Sequence, residues 1–529
     1  MSQVIFQDQD QYHIAARGTT DKAILDQIET FRRGFPFAQL DRPCTLGDGI
    51  TVLSPQEAEQ LASRYAEAVS VGRVQKVVPA SGAASRMFKS LLAVHERAGD
   101  MDGSQLQTAP QDQDDQACLQ FIEGLQNFAF YEALDEQLSR RQISLDAALA
   151  QGQYKIILDT LLMSSGLSYA ALPKALLHFH RYGDHCRTPL EEHLAEASVL
   201  VQDRDRVARL HFTVSPDHRE LMAAHLEQTR QRYEQTGARF DVSWSTQKPS
   251  TDTIAVDLDN QPFRDREGKL LFRPAGHGAL LENLNDLQGD IILIKNIDNV
   301  APDHLKAATY MYTRLLGGYL VTLQQQSFAY LEQLASGHVS PSALAEMQRF
   351  AQDKLSLRLP DTFEQQSHQE RAACLFKALH RPLRVCGVVP NTGEPGGGPF
   401  WVRHRNGTMS LQIVETSQVD TQVETQRAIL QASTHFNPVN LVCGVRDFQG
   451  QPFDLMRFTD PETGFISQKS HEGKPLKALE LPGLWNGAMA KWNTVFVEVP
   501  IATFNPVKTV LDLLRPEHQP APPTRPDGC

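Results

Sequence analysis

Short apolar runs alternate with helical periodicities along most of the chain. The apolar runs predict strands, the most apolar of which lies in DIILIKNIDN (290–299). Amphipathic patterns between them predict helices, as in SPQEAEQLASRYAEAV (54–69), where Ser54 and Glu57 have the spacing of a capping box. Strands that alternate with helices favour an α/β fold with a mixed, mainly parallel sheet flanked by helices.

The same patterns predict how the chain is organised. Residues 1–72 form a mostly helical N-terminal region, and the alternating region runs over residues 73–515. Two stretches of helical periodicity, near 104–165 and 302–378, are interpreted as insertions into the alternating region. The tail 516–529 is Pro-rich and is predicted to be disordered.

Composition and charge exclude several classes of function. With 529 residues, 41% hydrophobic and 22% charged, the chain has the make-up of a globular protein. A net charge of -12 argues against a broad nucleic-acid-binding face but not against a small basic pocket. Seven scattered cysteines without C-x-x-C argue against a disulfide framework and favour the cytoplasm. Neither a signal peptide nor a transmembrane helix is predicted.

The segment VVPASGAASRMFK (77–89) joins an apolar strand to a basic helix start through a loop of tiny residues. Such a loop presents backbone N–H groups with little side-chain bulk, and the helix start, Arg86 and Lys89 add positive charge. This combination suits a phosphate cradle. A loop that only closes a packing contact between strand and helix is the alternative. The glycine spacing matches neither a Walker A loop nor G-x-G-x-x-G.

The strand over 290–299 ends in Asn296 and Asp298. Ligands of open α/β sheets bind beyond the carboxyl ends of the strands, so Asp298 is placed to hold Mg²⁺ against phosphate oxygens. An ordinary turn is the alternative, since Asp and Asn both favour turns. The spacing of the histidines at 178, 180 and 185 lacks the carboxylate or cysteine partner that a zinc site needs.

Further candidates follow other predicted strands. Lys174 comes after a proline among apolar residues, where it could either reach a phosphate or extend to the surface as filler. The turn at 276–278, Gly-His-Gly, suits close approach of a ligand, or simply a positive φ before a helix. Glu415 ends a strand, and Lys508 lies between a proline-containing turn and a helix.

Six matches, in chain order and with the glycine turn and the strand end after it counted as one, resemble motifs of the UDP-sugar pyrophosphorylases, the uridylyltransferases that join UTP to a sugar 1-phosphate. Gly82, Ser85 and Arg86 match the family's G-x-G-T-R loop, with Ala84 at the second glycine. Lys174 matches the lysine of the family's Pro-Lys, Gln247 its glutamine-bearing strand end, and Gly276–Gly278 its G-x-G turn. Asn296–Asn299 match its Asn-x-Asp-Asn, Glu415 its Val-Glu-Tyr-Ser, and Lys508 its closing Pro-Val-Lys.

This resemblance implies a nucleotide-diphospho-sugar transferase-like, Rossmann-like fold. It also implies Mg²⁺-dependent transfer of a nucleotide from a nucleoside triphosphate, UTP in the family, to a sugar 1-phosphate, with release of pyrophosphate. The implied metal residue is Asp298, and the implied catalytic residues are Arg86, Lys174 and Lys508. The implied substrate-binding residues are Ser81, Gly82, Ser85, Lys89, Gln247, Gly276, His277, Gly278, Asn296 and Glu415. The chain also resembles an uncharacterised bacterial family known only as a domain of unknown function.

Two alternative functions stay open. A glycosyltransferase of similar fold would use an Asp-x-Asp pair for its metal, and Asp257 and Asp259 have that spacing. A non-catalytic nucleotide-sugar-binding protein would bind the same ligands without turnover. All three functions predict phosphorylated small molecules as partners, with neither nucleic acid nor membrane.

Overall fold

The computed structural model describes residues 6–97, 106, 112–235, 237–393, 397–437 and 440–521. These residues form two compact units, each assembled from separate parts of the chain. The first unit is the described part of Met1–Gln75, Ser245–Ile294 and Thr313–Pro500. The second unit is the described part of Lys76–Trp244, Lys295–Tyr312 and Ile501–Cys529.

Strands and helices alternate over most of the described residues. The strands are β1 (Leu40–Pro43), β2 (Thr45–Leu46), β3 (Gly49–Thr51), β4 (Val74–Pro79), β5 (His180–Arg181), β6 (Cys186–Arg187), β7 (Val207–Val214), β8 (Arg239–Thr246), β9 (Thr253–Val256), β10 (Phe272–Arg273), β11 (Ile291–Lys295), β12 (Leu383–Pro390), β13 (Gly397–Arg403), β14 (Met409–Glu415), β15 (His435–Phe436), β16 (Asn440–Gly444), β17 (Phe465–His471), β18 (Lys474–Glu480) and β19 (Asn493–Glu498).

The helices are α1 (Asp8–Ala16), α2 (Asp21–Arg33), α3 (Pro55–Ser70), α4 (Lys89–Arg97), α5 (Gln113–Glu123), α6 (Tyr131–Arg140), α7 (Leu145–Ala150), α8 (Tyr154–Leu162), α9 (Pro189–Leu200), α10 (Arg219–Glu234), α11 (Leu280–Asp286), α12 (Lys306–Ala335), α13 (Pro341–Asp353), α14 (His368–Leu379) and α15 (Glu424–Gln431). Within the described residues, none of them is both long enough and apolar enough to cross a membrane.

In the first unit, the larger sheet is built mainly of parallel pairs. β12 pairs in parallel with β19, β19 with β3, and β3 with β2, whereas β15 and β16 run antiparallel to β12. Two smaller antiparallel sheets have the strand orders β1-β13-β14 and β10-β9-β18-β17.

In the second unit, β4 pairs in parallel with β7, and β8 lies next to β7. Helices α4 to α8 bury a large apolar cluster that contains the packed rings of Phe121, Phe128 and Phe130. The same cluster includes Ala84 from the loop after β4 and Val507 from the last part of the chain. This core therefore supports two segments that the sequence predicts to contact phosphate.

The predicted α/β class with a mixed, mainly parallel sheet is confirmed by these strand pairings, as is the capping box of Ser54 and Glu57 at the start of α3. The predicted strand over 290–299 is β11. Strands β1 to β3, in contrast, lie inside the region 1–72 that is predicted to be helical. They are only two to four residues long, too short for an alternating pattern to emerge.

The Pro-rich tail departs from the prediction of disorder at its start. Pro516–His518 form a 3-10 turn, and His518 is buried, with Nδ1 2.9 Å from Nε2 of His180. Burial of this one ring fixes the first part of the tail. Residues 522–529 of the predicted tail lie outside the described residues.

Candidate functional site

The loop after β4 carries the first group of candidates. Ser81, Gly82, Ser85 and Arg86 are exposed, and Lys89 is an exposed residue at the start of α4. One 3-10 turn, Ala84–Arg86, links the loop to this helix. The exposed side of the loop therefore offers two cations and little side-chain bulk.

A second segment holds the loop from behind. The backbone N–H of Lys174 donates to the carbonyl of Gly82 at 3.3 Å, and the N–H of Ala84 donates to that of Leu172 at 3.1 Å. The helices between these two segments therefore do not move Lys174 away from the loop. The chain leaves the loop after β4, forms these helices and returns to contact the same loop at Leu172 and Lys174.

The two interpretations of the loop apply to different residues. Ala84 is completely buried and belongs to the helical core, so packing explains its small size. Neither packing nor backbone conformation requires a glycine at position 82. A Cβ added to Gly82 would meet no atom of the described residues within 4 Å, and its φ is not positive. Open space above this glycine is compatible with a ligand close to the backbone.

Lys174 and Lys508 converge on Asp298. The Nζ atom of Lys174 lies 3.0 Å from Oδ2 of Asp298, and the Nζ atom of Lys508 lies 3.2 Å from the same oxygen. Lys174 also donates to the carbonyl of Val507 at 2.8 Å. Asp298 and Lys174 are nearly buried, whereas the side chain of Lys508 is 54% exposed. We call these three residues the Asp298 cluster.

The charge of Asp298 is set by two opposing effects. Burial alone would raise the pKa of its carboxyl, but the ammonium groups of Lys174 and Lys508 outweigh it and lower the pKa. Asp298 is therefore ionised. Two positive charges surround one negative charge, which leaves a net positive site suited to phosphate.

The end of the chain is fixed beside this cluster by local hydrogen bonds. The backbone N–H groups of Lys508 and Thr509 donate to Oδ2 of Asp512 at 2.8 and 2.7 Å. The N–H of Val510 donates to the carbonyl of Met87, directly after the loop. Lys508 thus has a defined backbone position although its side chain is half exposed.

Asn296 is part of the turn that presents Asp298. Its carbonyl accepts from the N–H of Asn299 at 3.2 Å, and Oδ1 of Asn299 accepts from the N–H of Asn505 at 2.9 Å. The turn interpretation of this segment and the ligand interpretation are therefore compatible, because the turn is what orients the carboxylate.

A buried ionic network that sequence reasoning missed lies in the same unit. Glu196 on α9 accepts from Lys76 at 2.7 Å and from Lys295 at 2.6 Å, and all three side chains are almost completely buried. Burial lowers the pKa of Lys76 to about 8. His193 on the same helix lies with Nε2 3.3 Å from the carbonyl of Ile297, next to Asp298. The sequence signal that could have revealed this network is a lysine within each of two apolar strands, Lys76 in β4 and Lys295 in β11.

The remaining candidates lie in the first unit, where packing accounts for both glycines of the Gly-His-Gly turn. Gly276 has φ +78°, and an added Cβ would lie 2.7 Å from Oε2 of Glu480. An added Cβ at Gly278 would lie 2.1 Å from the carbonyl of Pro482. Each position is therefore restricted to glycine by the protein itself, whether or not a ligand approaches.

His277 is engaged by the protein on two sides. Its Nδ1 accepts from the N–H of Leu484 at 3.0 Å, and its ring stacks on Trp485 with the centroids 4.3 Å apart. Burial lowers the pKa of His277 to about 4, so the ring is neutral at physiological pH. These contacts give His277 a structural role independent of a ligand.

Glu415 and Gln247 have partners within the first unit as well. Burial raises the pKa of the Glu415 carboxyl, and the neighbouring carboxylate of Glu480 adds to this. Nε2 of Gln247 donates to Oδ1 of Asp252 at 3.3 Å. Two carboxyl groups near the Gly-His-Gly turn make this a polar, hydrogen-bond-accepting part of the unit.

Asp257 does not have the arrangement of an Asp-x-Asp metal site. Its Oδ1 accepts from the backbone N–H groups of Asp259 and Gln261, both at 2.9 Å, which closes a tight turn. The same turn recurs at Asp265 and Asp447. Repetition at three surface turns indicates a turn-forming role.

The structure thus divides the predicted site residues between the two units. Those in the second unit are Ser81, Gly82, Ser85, Arg86, Lys89, Lys174, Asn296, Asp298 and Lys508. Those in the first unit are Gln247, Gly276, His277, Gly278 and Glu415.

Comparison with known proteins gives a family and several solved structures. UDP-glucose pyrophosphorylase from Leishmania major, in complex with UDP-glucose, is 13% identical, with a TM-score of 0.45 over 96% of this chain and 79% of that chain. UDP-N-acetylglucosamine pyrophosphorylase from Trypanosoma brucei is 11% identical, with a TM-score of 0.46 over 96% and 82%. No curated protein matches the sequence. Residues 7–519 match the family described as Domain of unknown function (DUF4301), and the chain belongs to this family.

Proposed function

We propose that the protein is a Mg²⁺-dependent nucleotidyltransferase that joins a nucleoside triphosphate, UTP by sequence resemblance, to a sugar 1-phosphate and releases pyrophosphate. The Asp298 cluster is the observation that carries this proposal. Lys174 and Lys508 share one carboxylate oxygen beside a loop with exposed backbone and Arg86. Cations held in place before the ligand arrives stabilise the charge of a phosphoryl-transfer transition state.

The reaction requires no covalent enzyme intermediate. An oxygen of the sugar phosphate forms a bond to the α-phosphorus, and the bond from that phosphorus to the bridging oxygen of pyrophosphate breaks. We assign the β- and γ-phosphates to Arg86 and Lys89, and the α-phosphate or sugar phosphate to Lys174 and Lys508. Alignment of the two reactants and neutralisation of their charge supply the catalysis.

We assign Mg²⁺ to Asp298. This ion is typically held by one or two carboxylates and takes its other ligands from phosphates and water, so Asp298 alone is a sufficient protein ligand. Among the described residues, no group of three or more His, Cys, Asp or Glu side chains is arranged to hold a metal. Bound there, Mg²⁺ would neutralise charge on the phosphate oxygens.

The candidates of the first unit stay predictions from resemblance. Gln247 and Glu415 present an amide and a carboxyl group that suit the base or hydroxyls of a nucleotide sugar. His277, Gly276 and Gly278 have structural roles of their own, described above, and a ligand contact at these positions would add to those roles.

A screen for pyrophosphate release tests the proposal directly. Each nucleoside triphosphate is mixed with a panel of sugar 1-phosphates and Mg²⁺, and release is expected only when both substrates are present. Lys174→Met should abolish it. Lys155→Met, at an exposed lysine on α8 of the same unit, should leave it unchanged.

The alternative functions give different products. A glycosyltransferase would release a nucleoside diphosphate from a nucleotide sugar, and the turn at Asp257 already counts against its metal pair. A non-catalytic binding protein would be stabilised against heat by nucleotide sugar without releasing pyrophosphate. Either result would replace the proposed function.

A further inference from the structure

A cavity of about 490 Å³ in the first unit is lined by an excess of cations. The permanently charged residues of its lining are Arg358, Lys377, Arg381 and Lys491 against one carboxylate, that of Asp460. Among the described residues, no ion pair joins any of the four cations to a carboxylate. Its volume is that of a site for a small molecule. In a chain with a net charge of -12, such a surplus of positive charge calls for an explanation.

Arg358 is held by an aromatic ring instead of an acid. Its guanidinium lies 4.8 Å from the ring centroid of the buried Trp401, whose indole ring also contacts the guanidinium of Arg42 at 4.9 Å. The nearby carboxylate of Asp48 is occupied: it pairs with Arg42 at 2.6 Å and accepts from Nε1 of Trp401 at 3.0 Å. Arg358 is therefore oriented while its N–H groups remain available.

Lys377 lies in the last turn of α14, and Arg381 follows the end of this helix. Nε of Arg381 donates to the carbonyl of Lys377 at 3.3 Å, which fixes the side chain along the last turn of the helix. Arg381 is partly buried, and burial lowers its pKa. A guanidinium that has lost water without gaining an acid is stabilised by an incoming anion.

The other charged residues of the lining do not compensate these cations. Lys491 is exposed, and its backbone N–H donates to the carbonyl of Phe458. Asp460 is engaged locally, because its Oδ1 accepts from the N–H of Glu462 at 3.1 Å. Trp492, which also lines the cavity, is 4% exposed.

We propose that this cavity binds a small phosphate-bearing molecule, in addition to any substrate of the Asp298 cluster. Two observations point to the same ligand chemistry. Among the described residues the four cations lack an acid as ion-pair partner, and two of them, the guanidinium groups of Arg358 and Arg381, are fixed in position by other contacts. Phosphate supplies both the negative charge and several acceptor oxygens, and arginine recognises it through two parallel hydrogen bonds.

Binding of two probes, inorganic pyrophosphate and glucose 6-phosphate, to the full chain tests the proposal by calorimetry. The double variant Arg358→Gln, Arg381→Gln should weaken binding of at least one probe by roughly 10- to 100-fold, the loss expected for charge-assisted hydrogen bonds. Lys354→Gln removes one positive charge from an exposed residue outside the lining and should change nothing. Because pyrophosphate is also the product of the proposed reaction, Arg86→Met should weaken its binding at the loop after β4 but leave the binding of glucose 6-phosphate unchanged.

Circular dichroism checks that the double variant folds. Lys491→Gln, at an exposed turn, gives a second test that puts folding at little risk and should also weaken binding. Tryptophan fluorescence adds a local measurement, since Trp492 lies in the lining. Undiminished binding in the double variant and in Lys491→Gln would overturn the proposal, as would equal losses in these variants and in Lys354→Gln.

Discussion

Replacing Asp298 by asparagine tests whether the cluster depends on charge. Asn keeps the size and shape of the side chain but removes the negative charge that faces Lys174 and Lys508. The two ammonium groups would then lie close together without a counter-charge. Lys174, which is nearly buried, keeps as acceptors the carbonyl of Val507 and the uncharged amide oxygen of the new side chain, whereas the half-exposed Lys508 can turn towards water.

The expected cost follows from this difference in exposure. Removal of one partner from a buried ion pair costs about 3–5 kcal/mol. Because Lys508 can be rehydrated, we expect a value near the lower limit, ~3 kcal/mol, mainly from Lys174. The exposed pair of Lys248 and Asp286, 2.7 Å apart, supplies the control: Asp286→Asn should cost less than ~1 kcal/mol.

The pH dependence has a definite sign. The pKa of Asp298 is lowered in the folded chain, so its contribution to stability is present above the unfolded pKa, about 3.9, and is lost as the pH falls through the folded pKa. Asp298→Asn lacks this contribution. The difference in unfolding free energy between wild type and variant should therefore be constant near pH 7 and shrink below about pH 4.

Urea unfolding followed by circular dichroism measures both effects, and pyrophosphate release from the same variant reports on the proposed reaction, which should be lost. A cost no larger than that of Asp286→Asn, with no change of the difference at acid pH, would refute the reasoning. In that case the lysines would be held by other contacts, and Asp298 would be an ordinary turn residue.

Three further predictions concern single residues. Arg86→Met should lower turnover by roughly one to two powers of ten, through loss of charge-assisted hydrogen bonds to phosphate, while the melting temperature without ligand stays unchanged because the side chain is exposed. Gly276→Ala should lower the free energy of unfolding by about 1–3 kcal/mol, since φ is +78° and the added Cβ would meet Glu480. Gly82→Ala, in open space, should change the free energy of unfolding by less than ~0.5 kcal/mol, and equal losses in the two variants would contradict this explanation. Burial lowers the pKa of His518 to about 3, so below about pH 6.5 the unfolded chain takes up a proton that the folded chain does not, and stability should fall. The urea midpoint of unfolding should therefore decrease from pH 7 to pH 5, and His518→Gln should make this decrease smaller. An unchanged decrease in the variant would show that other groups cause it.

Local pattern was sufficient to predict single strands and helices. The apolar run of β11 and the helical periodicity of α3 depend only on residues within one element, and so does the capping box of Ser54 and Glu57. Asp298 was predicted at a strand end because that position follows directly from the strand. The short strands β1 to β3 escaped prediction because two to four residues do not establish a period.

Contacts between distant residues were decided by the tertiary structure alone. Asp298 meets Lys174 and Lys508 across 124 and 210 residues, and no local pattern encodes those distances. The network of Lys76, Glu196 and Lys295 is equally non-local, since each charge is tolerated in the interior only because the others are there. Sequence alone therefore determined which charged and small residues follow the strands. Packing decided which of them come together, because burial gives a charge its partner only after the chain has folded.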